Sequence, residues 1–257
     1  MLKLRIIPTL LCKDFGLAKG IGFQSWRRVG TVLPAIKVYN KRDVDELIVV
    51  DITASQEGRP PEIESIEDLA DECFVPLTVG GGITKVEQIA ALLRAGADKV
   101  SINSAIFSNP DLIDEAAKRF GSQCIVGSID FRKMEAGGYS CFSHSGLKNQ
   151  KKDPVELSKE LEDRGIGEIL LTSIDRDGTM SGYDLEPTFD VVSAVNIPII
   201  ASGGAGSFQD MINVISESGC SAIAAASVFH YTEITPSGAK QALSTAGINI
   251  RQNFRSV

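Results

Sequence analysis

Val79-Gly80-Gly81-Gly82-Ile83 and Ser202-Gly203-Gly204-Ala205-Gly206, with Gly81 and Gly203 122 positions apart, decide the fold. Each follows a short β-branched run and precedes an amphipathic stretch. Glycine at such a turn lets backbone N–H groups approach an anion at a helix N-terminus. The repeat extends outward on both sides. Asp45-Glu46-Leu47-Ile48-Val49-Val50 matches Gly167-Glu168-Ile169-Leu170-Leu171-Thr172, again 122 apart. Ser104-Ala105-Ile106-Phe107 matches Ser227-Val228-Phe229-His230 at 123. Arg5-Ile6-Ile7-Pro8-Thr9-Leu10-Leu11 matches the strand ending in Asp130 more loosely, Leu11 and Asp130 being 119 apart. Two half-repeats, about 1–122 and 123–245, are expected within one domain spanning 1–257.

Strands are expected at Leu4–Leu11, Glu46–Ile52, Phe74–Val79, Lys99–Asn103, Cys124–Asp130, Glu168–Ser173, Ile197–Ala201 and Ala222–Ala226. Helical patterns fill the gaps, including Lys85–Ala95, Asp111–Arg119, Pro154–Arg164 and Phe208–Ser218. Asp153 and Ser207 are expected N-caps, and Gly96, Gly121 and Gly165 are expected to end helices. Near-continuous apolar strands alternating with helices imply a parallel sheet buried on both faces. Eight such units in 257 residues predict an α/β fold of the (β/α)8 TIM-barrel type. An open doubly wound sheet is the alternative, but no GxGxxG follows the first strand.

Composition narrows the function. The net charge of −7 argues against a nucleic-acid partner. No stretch has the length of a membrane span, and Pro8 and Lys13 interrupt any signal-like run, so a cytoplasmic location is expected. The five cysteines include no CxxC pair, and there are only two histidines. Neither a metal nor a cofactor is expected.

Barrel active sites lie at the C-terminal ends of the strands. Asp51 and Asp130 occupy such ends, and Asp177 follows in the loop after Ser173. Asp175 is expected to pair with Arg176 or a neighbouring backbone. Leu11 stands where the repeat puts a carboxylate, so one member of an acid pair is missing. Gly82, Asn103 and Ser104 form one expected phosphate site, and Gly203, Gly204, Ala226 and Ser227 the other. The stretch from Lys13 to about Thr31 reads as a glycine-bearing lid or a solvated loop, with Lys19, Arg27 and Arg28 in reach of a phosphorylated ligand. Arg5, Glu46, Lys99 and Glu168 begin strands and would form a charged ring closing the barrel bottom.

Arg5-Ile6-Ile7-Pro8, Asp51-Ile52-Thr53-Ala54-Ser55, Asp98-Lys99-Val100-Ser101-Ile102-Asn103-Ser104 and Asp175-Arg176-Asp177-Gly178-Thr179, with both glycine turns, resemble the cyclase subunit of imidazole glycerol phosphate synthase. The resemblance runs along essentially the whole chain. It implies a barrel that pairs with a class I glutaminase at its bottom, near Asp98 and Gln123. It also implies an ammonia gate at Arg5, Glu46, Lys99 and Glu168, a mobile-loop lysine at Lys19, and catalysis at the mouth by two aspartates. Asp130 matches one of these, while Leu11 replaces the other. A paralogue group associated with glycosyl amidation in surface-polysaccharide synthesis resembles the chain at that position. The preferred expectation is therefore an ammonia-conducting subunit serving a separate amidotransferase. The alternatives are a true cyclase using Asp51 or Asp177 in place of residue 11, and the related sugar isomerase of the histidine pathway.

Overall fold

The computed structural model describes residues 3–14 and 16–251; Met1, Leu2, Phe15 and residues 252–257 lie outside the described residues. Eight parallel strands form the barrel wall: β1 (Arg5–Lys13), β2 (Leu47–Asp51), β3 (Leu77–Gly80), β4 (Lys99–Ile102), β5 (Ile125–Lys133), β6 (Glu168–Ser173), β7 (Ile199–Ser202) and β8 (Ala222–Ala225). Neighbours in sequence pair in space. The sheet closes through β8 against β1, with Arg5 opposite Ala222. Leaving no open edge satisfies every strand's backbone groups. The fold is a (β/α)8 barrel, as expected; the open sheet is excluded.

The strands are apolar on both faces because they separate two cores. Outside, Ile6, Leu10, Leu47, Val49, Val100, Ile125, Ile129 and their neighbours pack against the helices. Inside, Ile7, Ile48, Val126, Leu170, Ile200, Ala222 and Ala224 fill the middle of the barrel. The helix Asp111–Phe120 shows the sorting: Leu112, Ile113 and Ala116 are buried, acids occupy its first turn, and Lys118 and Arg119 its last. That charge order complements the helix dipole. Asp153 accepts from the backbone N–H of Val155 and Glu156, and Ser207 from that of Asp210. Each cap contributes on the order of 1 kcal/mol. Gly96, Gly121 and Gly165 have φ of +100°, +88° and +91°, as helix-ending glycines require.

Three expectations change. β1 continues past Leu11 to Lys13 because it gains an antiparallel partner, Gly16–Ile21, with Leu11 opposite Ala18. The supposed loop from Lys13 to Thr31 is therefore a β-hairpin, Gly16–Ile21 with Gln24–Thr31. Its glycines hid the strand signal. Phe74 lies outside β3, which starts at Leu77 behind the turn, and is 69% exposed. A second hairpin, Tyr139–Ser143 with Lys148–Asn149, extends β5 and was not expected. No helix among the described residues is long and apolar enough to cross a membrane.

Candidate active site

Both glycine turns need glycine. A Cβ on Gly81, at φ +110°, would stand 2.4 Å from the Asp51 carbonyl. One on Gly204, also at φ +110°, would stand 2.1 Å from the Gly182 carbonyl. The turns press onto the adjoining backbone, and no side chain fits. The Gly82 N–H donates to Ser55 Oγ at 3.4 Å. Asn103 is less free than its sequence suggested. Its amide donates to the carbonyls of Ser128 and Phe142 at 3.0 and 3.3 Å and to Asp130 Oδ2 at 3.2 Å. Ser104 Oγ accepts from the His144 N–H at 3.1 Å. On the other side, Ala226 precedes the short helix Ser227–Tyr231, and Ser227 is buried.

At the mouth, Leu11, Val50, Asp51, Asn103, Asp130 and Asp177 line one cavity of about 110 Å³. Burial raises the Asp130 carboxyl to about 7, and the nearby charge of Asp177 adds to the rise. Asp177 rises to about 6 through burial, opposed by the ammonium of Lys19. Lys19 falls to about 8 through burial, opposed by Asp177 and Cys12. Three coupled groups thus titrate close to neutrality, as acid–base chemistry at a mouth needs. Leu11 contributes only apolar wall.

Lys19 does not reach outward as a loop lysine would. It is 2% exposed, and its ammonium donates to the Thr9 carbonyl at 3.0 Å. The hairpin folds it under, while Phe23 and Trp26 from the same hairpin line the cavity. The Gly22 N–H donates to the Asp177 carbonyl at 2.9 Å, seating the hairpin tip on the loop that carries Asp177. Arg27 and Arg28 do not line the cavity. Arg27 donates to Tyr231 Oη at 3.1 Å and stacks on that ring, and Arg28 donates to the Gly30 carbonyl.

Asp51 is also not a free acid. It accepts from the N–H groups of Thr53 and Ala54, from Thr53 Oγ and from Arg59, all between 2.9 and 3.1 Å. Four donors make it the cap of the turn after β2. Asp175 pairs with Arg132 at 3.0 Å and accepts from the Lys133 N–H, rather than pairing with Arg176. β5 runs beyond Asp130 and brings that arginine alongside.

The opposite end is shut by the expected ring. Arg5 donates to Glu46 at 2.7 Å and to Glu168, and Lys99 donates to both glutamates at 2.9 Å. Burial works against the cations, but the glutamates outweigh it and hold Arg5 and Lys99 above their ordinary values. Glu46 meets the same burial and is nevertheless held below its ordinary value by the two cations. Each acid bridges both bases, which is how desolvated charges persist. Asp98 accepts from the Leu77 N–H at 2.8 Å, and Gln123 is exposed near Phe120. Sequence reasoning missed Arg59, and it missed the Lys240–Asp45 pair at 2.8 Å that pins the last helix near the ring. Both pairs join residues far apart along the chain or hidden in a loop, so no local pattern marks them. Among the described residues no cluster suited to a metal ion occurs.

The barrel is thus closed at one end by an ion-paired ring and carries acids and two glycine turns at its mouth. A family model described as histidine biosynthesis protein matches residues 5–235, and the chain belongs to that family. The imidazole glycerol phosphate synthase subunit HisF of Hyphomonas neptunium (strain ATCC 15444) is 47% identical over 251 residues, which cover 98% of this chain and 99% of that one.

Proposed function

We propose that the chain is the ammonia-using cyclase subunit of an imidazole glycerol phosphate synthase. The near-full-length identity to a synthase subunit supports this reading over the polysaccharide-linked one preferred from sequence. The observation that carries it is the arrangement along one axis: a paired ring below, an apolar sleeve above it, and neutral-titrating acids at the top.

In this reading a class I glutaminase of the HisH type docks at the bottom, against a face including Asp98 and Gln123. Ammonia passes the ring of Arg5, Glu46, Lys99 and Glu168 and rises to the mouth. There it meets a bisphosphorylated ribulosyl aminoimidazole carboxamide. One phosphate lies at Gly82, Asn103 and Ser104, the other at Gly203, Gly204, Ala226 and Ser227. The protonated carboxyl of Asp130 donates to the ketose carbonyl oxygen as nitrogen adds, giving a carbinolamine whose hydroxyl later leaves as water to form the imine. Asp177 accepts the proton that the nitrogen sheds, and Lys19 sets its charge. Asp177 therefore takes the place of the acid absent at residue 11. The four donors that Asp51 already accepts from weigh against it in this role. The half-barrel repeat supports two phosphate sites facing one another.

Leu11 favours one second reading. An apolar wall opposite Asp130 suits a subunit that delivers ammonia to a separate amidotransferase. The experiment is ammonium-driven formation of imidazole glycerol phosphate by the wild type beside Leu11→Asp, Asp130→Asn and Asp177→Asn. Wild-type turnover lost on changing either aspartate is the expected result. A folded wild type without turnover, rescued by Leu11→Asp, would overturn it in favour of the conduit. Position 11 would then carry a factor on the order of 10²–10⁴.

A further inference from the structure

A second cavity, of about 450 Å³, lies outside the barrel wall. It is about four times the size of the mouth cavity of 110 Å³. Cys12, Val49 and Val79 form its floor on the outer face of β1, β2 and β3. Leu33 of the helix Val32–Tyr39, with Ile66 and Leu69 of the helix Ile63–Asp71, forms its walls. The second of these helices stands off the sheet. It buries Ile66 alone, whereas Val86–Arg94, of the same nine-residue length, buries Val86, Ile89, Ala90 and Leu92. Burial pushes the Cys12 thiol up to about 12, so it keeps its proton and the floor is uncharged.

The lining is charged in one sense. Among the described residues of this cavity, five carboxylates (Asp14, Asp51, Glu57, Glu62 and Asp68) face one cation, Arg59. Arg59 is already engaged by Glu57 at 2.5 Å and Asp51 at 3.1 Å. Asp14, Glu62 and Asp68 have no ion pair among the described residues, and all three are exposed. Apolar walls with a few placed polar groups, around a volume of roughly 300–1,000 Å³, are the usual form of a small-molecule site. An apolar interior edged by unpaired acids fits a guest with an apolar body and a cationic head, and an anion would meet like charge. We propose that this cavity binds a small organic cation, an ammonium carried on an apolar ring or branched chain, and that the mouth registers its presence. The inference is independent of the synthase reading. Asp51 and Gly81 supply the link, because they line both cavities. A guest packed against Val79 and Gly81 bears on the turn that leads to Ile83. Arg59 carries any shift of Glu57 to the Asp51 carboxylate.

The test does not need turnover. The probe is phenethylammonium at pH 7, beside 2-phenylethanol, which keeps the ring without the charge, and 3-phenylpropionate, which reverses the charge. Labelled isoleucine, leucine and valine methyls of the full chain are followed by NMR. Saturable shifts of Ile66, Leu69 and Val79 with phenethylammonium are expected. The alcohol binds about three- to tenfold more weakly, the loss expected for two or three exposed ion pairs, and the carboxylate more weakly still. Glu62→Gln with Asp68→Asn brings the amine to the level of the alcohol and leaves the alcohol's own half-saturating concentration unchanged. Ser65→Trp fills the cavity and abolishes binding of both. Leu33→Trp, from the facing helix, is read in its place if that variant does not fold. Val50 and Ile83, which line the mouth and not the side cavity, shift with the same half-saturation as Ile66. Absence of a saturable shift, equal binding of amine and alcohol by the wild type, or shifts that survive the tryptophan overturn the site. Silent Val50 and Ile83 beside a saturating Ile66 overturn its link to the mouth.

Discussion

Replacing Asp177 by asparagine keeps the side chain's size and removes one negative charge from the mouth. Asp130 stands at about 7 against an ordinary 3.8, with burial the larger cause and Asp177 the smaller. The whole rise corresponds to about 4 kcal/mol against ionisation, at 1.36 kcal/mol for each pH unit. Asp177 therefore accounts for less than half of it. In Asp177→Asn, Asp130 titrates lower by up to about 1.5 pH units. Lys19 moves in the same direction. Its amine loses the carboxylate that partly offsets burial, so it falls below about 8. Carbon-13 titration of labelled aspartate carboxyls and lysine Cε atoms reads both. The paired signs separate electrostatics from damage. A loosened mouth would return Asp130 toward 3.8 but send Lys19 up toward 10.5. The reasoning is refuted if Asp130 holds its position in a folded variant, or if Lys19 rises. If Asp130 works as the protonated acid, activity falls above about pH 7 in the wild type, and that limb moves to lower pH in any residual activity of the variant.

Two further outcomes follow from buried charge and backbone contact. Lys240→Met leaves Asp45, fully buried and bonded to the Ile6 N–H at 2.8 Å, without its ammonium partner. Urea unfolding should show a loss of about 3–5 kcal/mol, partly recovered by adding Asp45→Asn, because the uncompensated charge is then gone. Gly81→Ala forces a Cβ within 2.4 Å of the Asp51 carbonyl at φ +110°. It should cost about 1–3 kcal/mol in backbone strain and weaken phosphate binding further by pushing the turn off β2. Gly137→Ala, at φ +89° with nothing within 4 Å, carries strain alone and is the control. Equal phosphate affinity in the two variants would remove the role of close approach at Gly81.

The parts of this fold that were legible in the sequence are those written locally. Apolar runs bounded by glycine and caps such as Asp153 depend on neighbours within a few residues, and they landed where expected. The ring was legible for a related reason. Charges at the starts of four strands must meet wherever the strands gather. The first hairpin was not legible, because Gly16, Gly20, Gly22 and Gly30 carry no strand preference, and its pairing with β1 is a tertiary gain. Asp51 looked catalytic because it ends a strand, but Arg59 and the turn it caps turn it into a brace. The hydroxyls of the cavity could have been found: reading β1, β5 and β6 at every second residue puts Thr9, Ser128 and Thr172 on the inner face.

Leu11 changes meaning in this setting. On sequence it is a missing acid, counted against a partner half a chain away. In three dimensions the acid next to Asp130 is Asp177, carried by the loop after β6 and charge-coupled to a lysine folded in beneath the first hairpin. A carboxylate at position 11 would join two acids already raised toward neutrality, and like charges in one desolvated mouth would push Asp130 higher still. An apolar residue there keeps the acids raised toward neutrality at two, with the Lys19 ammonium acting on Asp177. The same leucine leaves the floor of the mouth to hydroxyls rather than carboxylates. The substitution at residue 11 and the free hydroxyl of Thr9, two positions below it on the same inner face, are best understood as one arrangement.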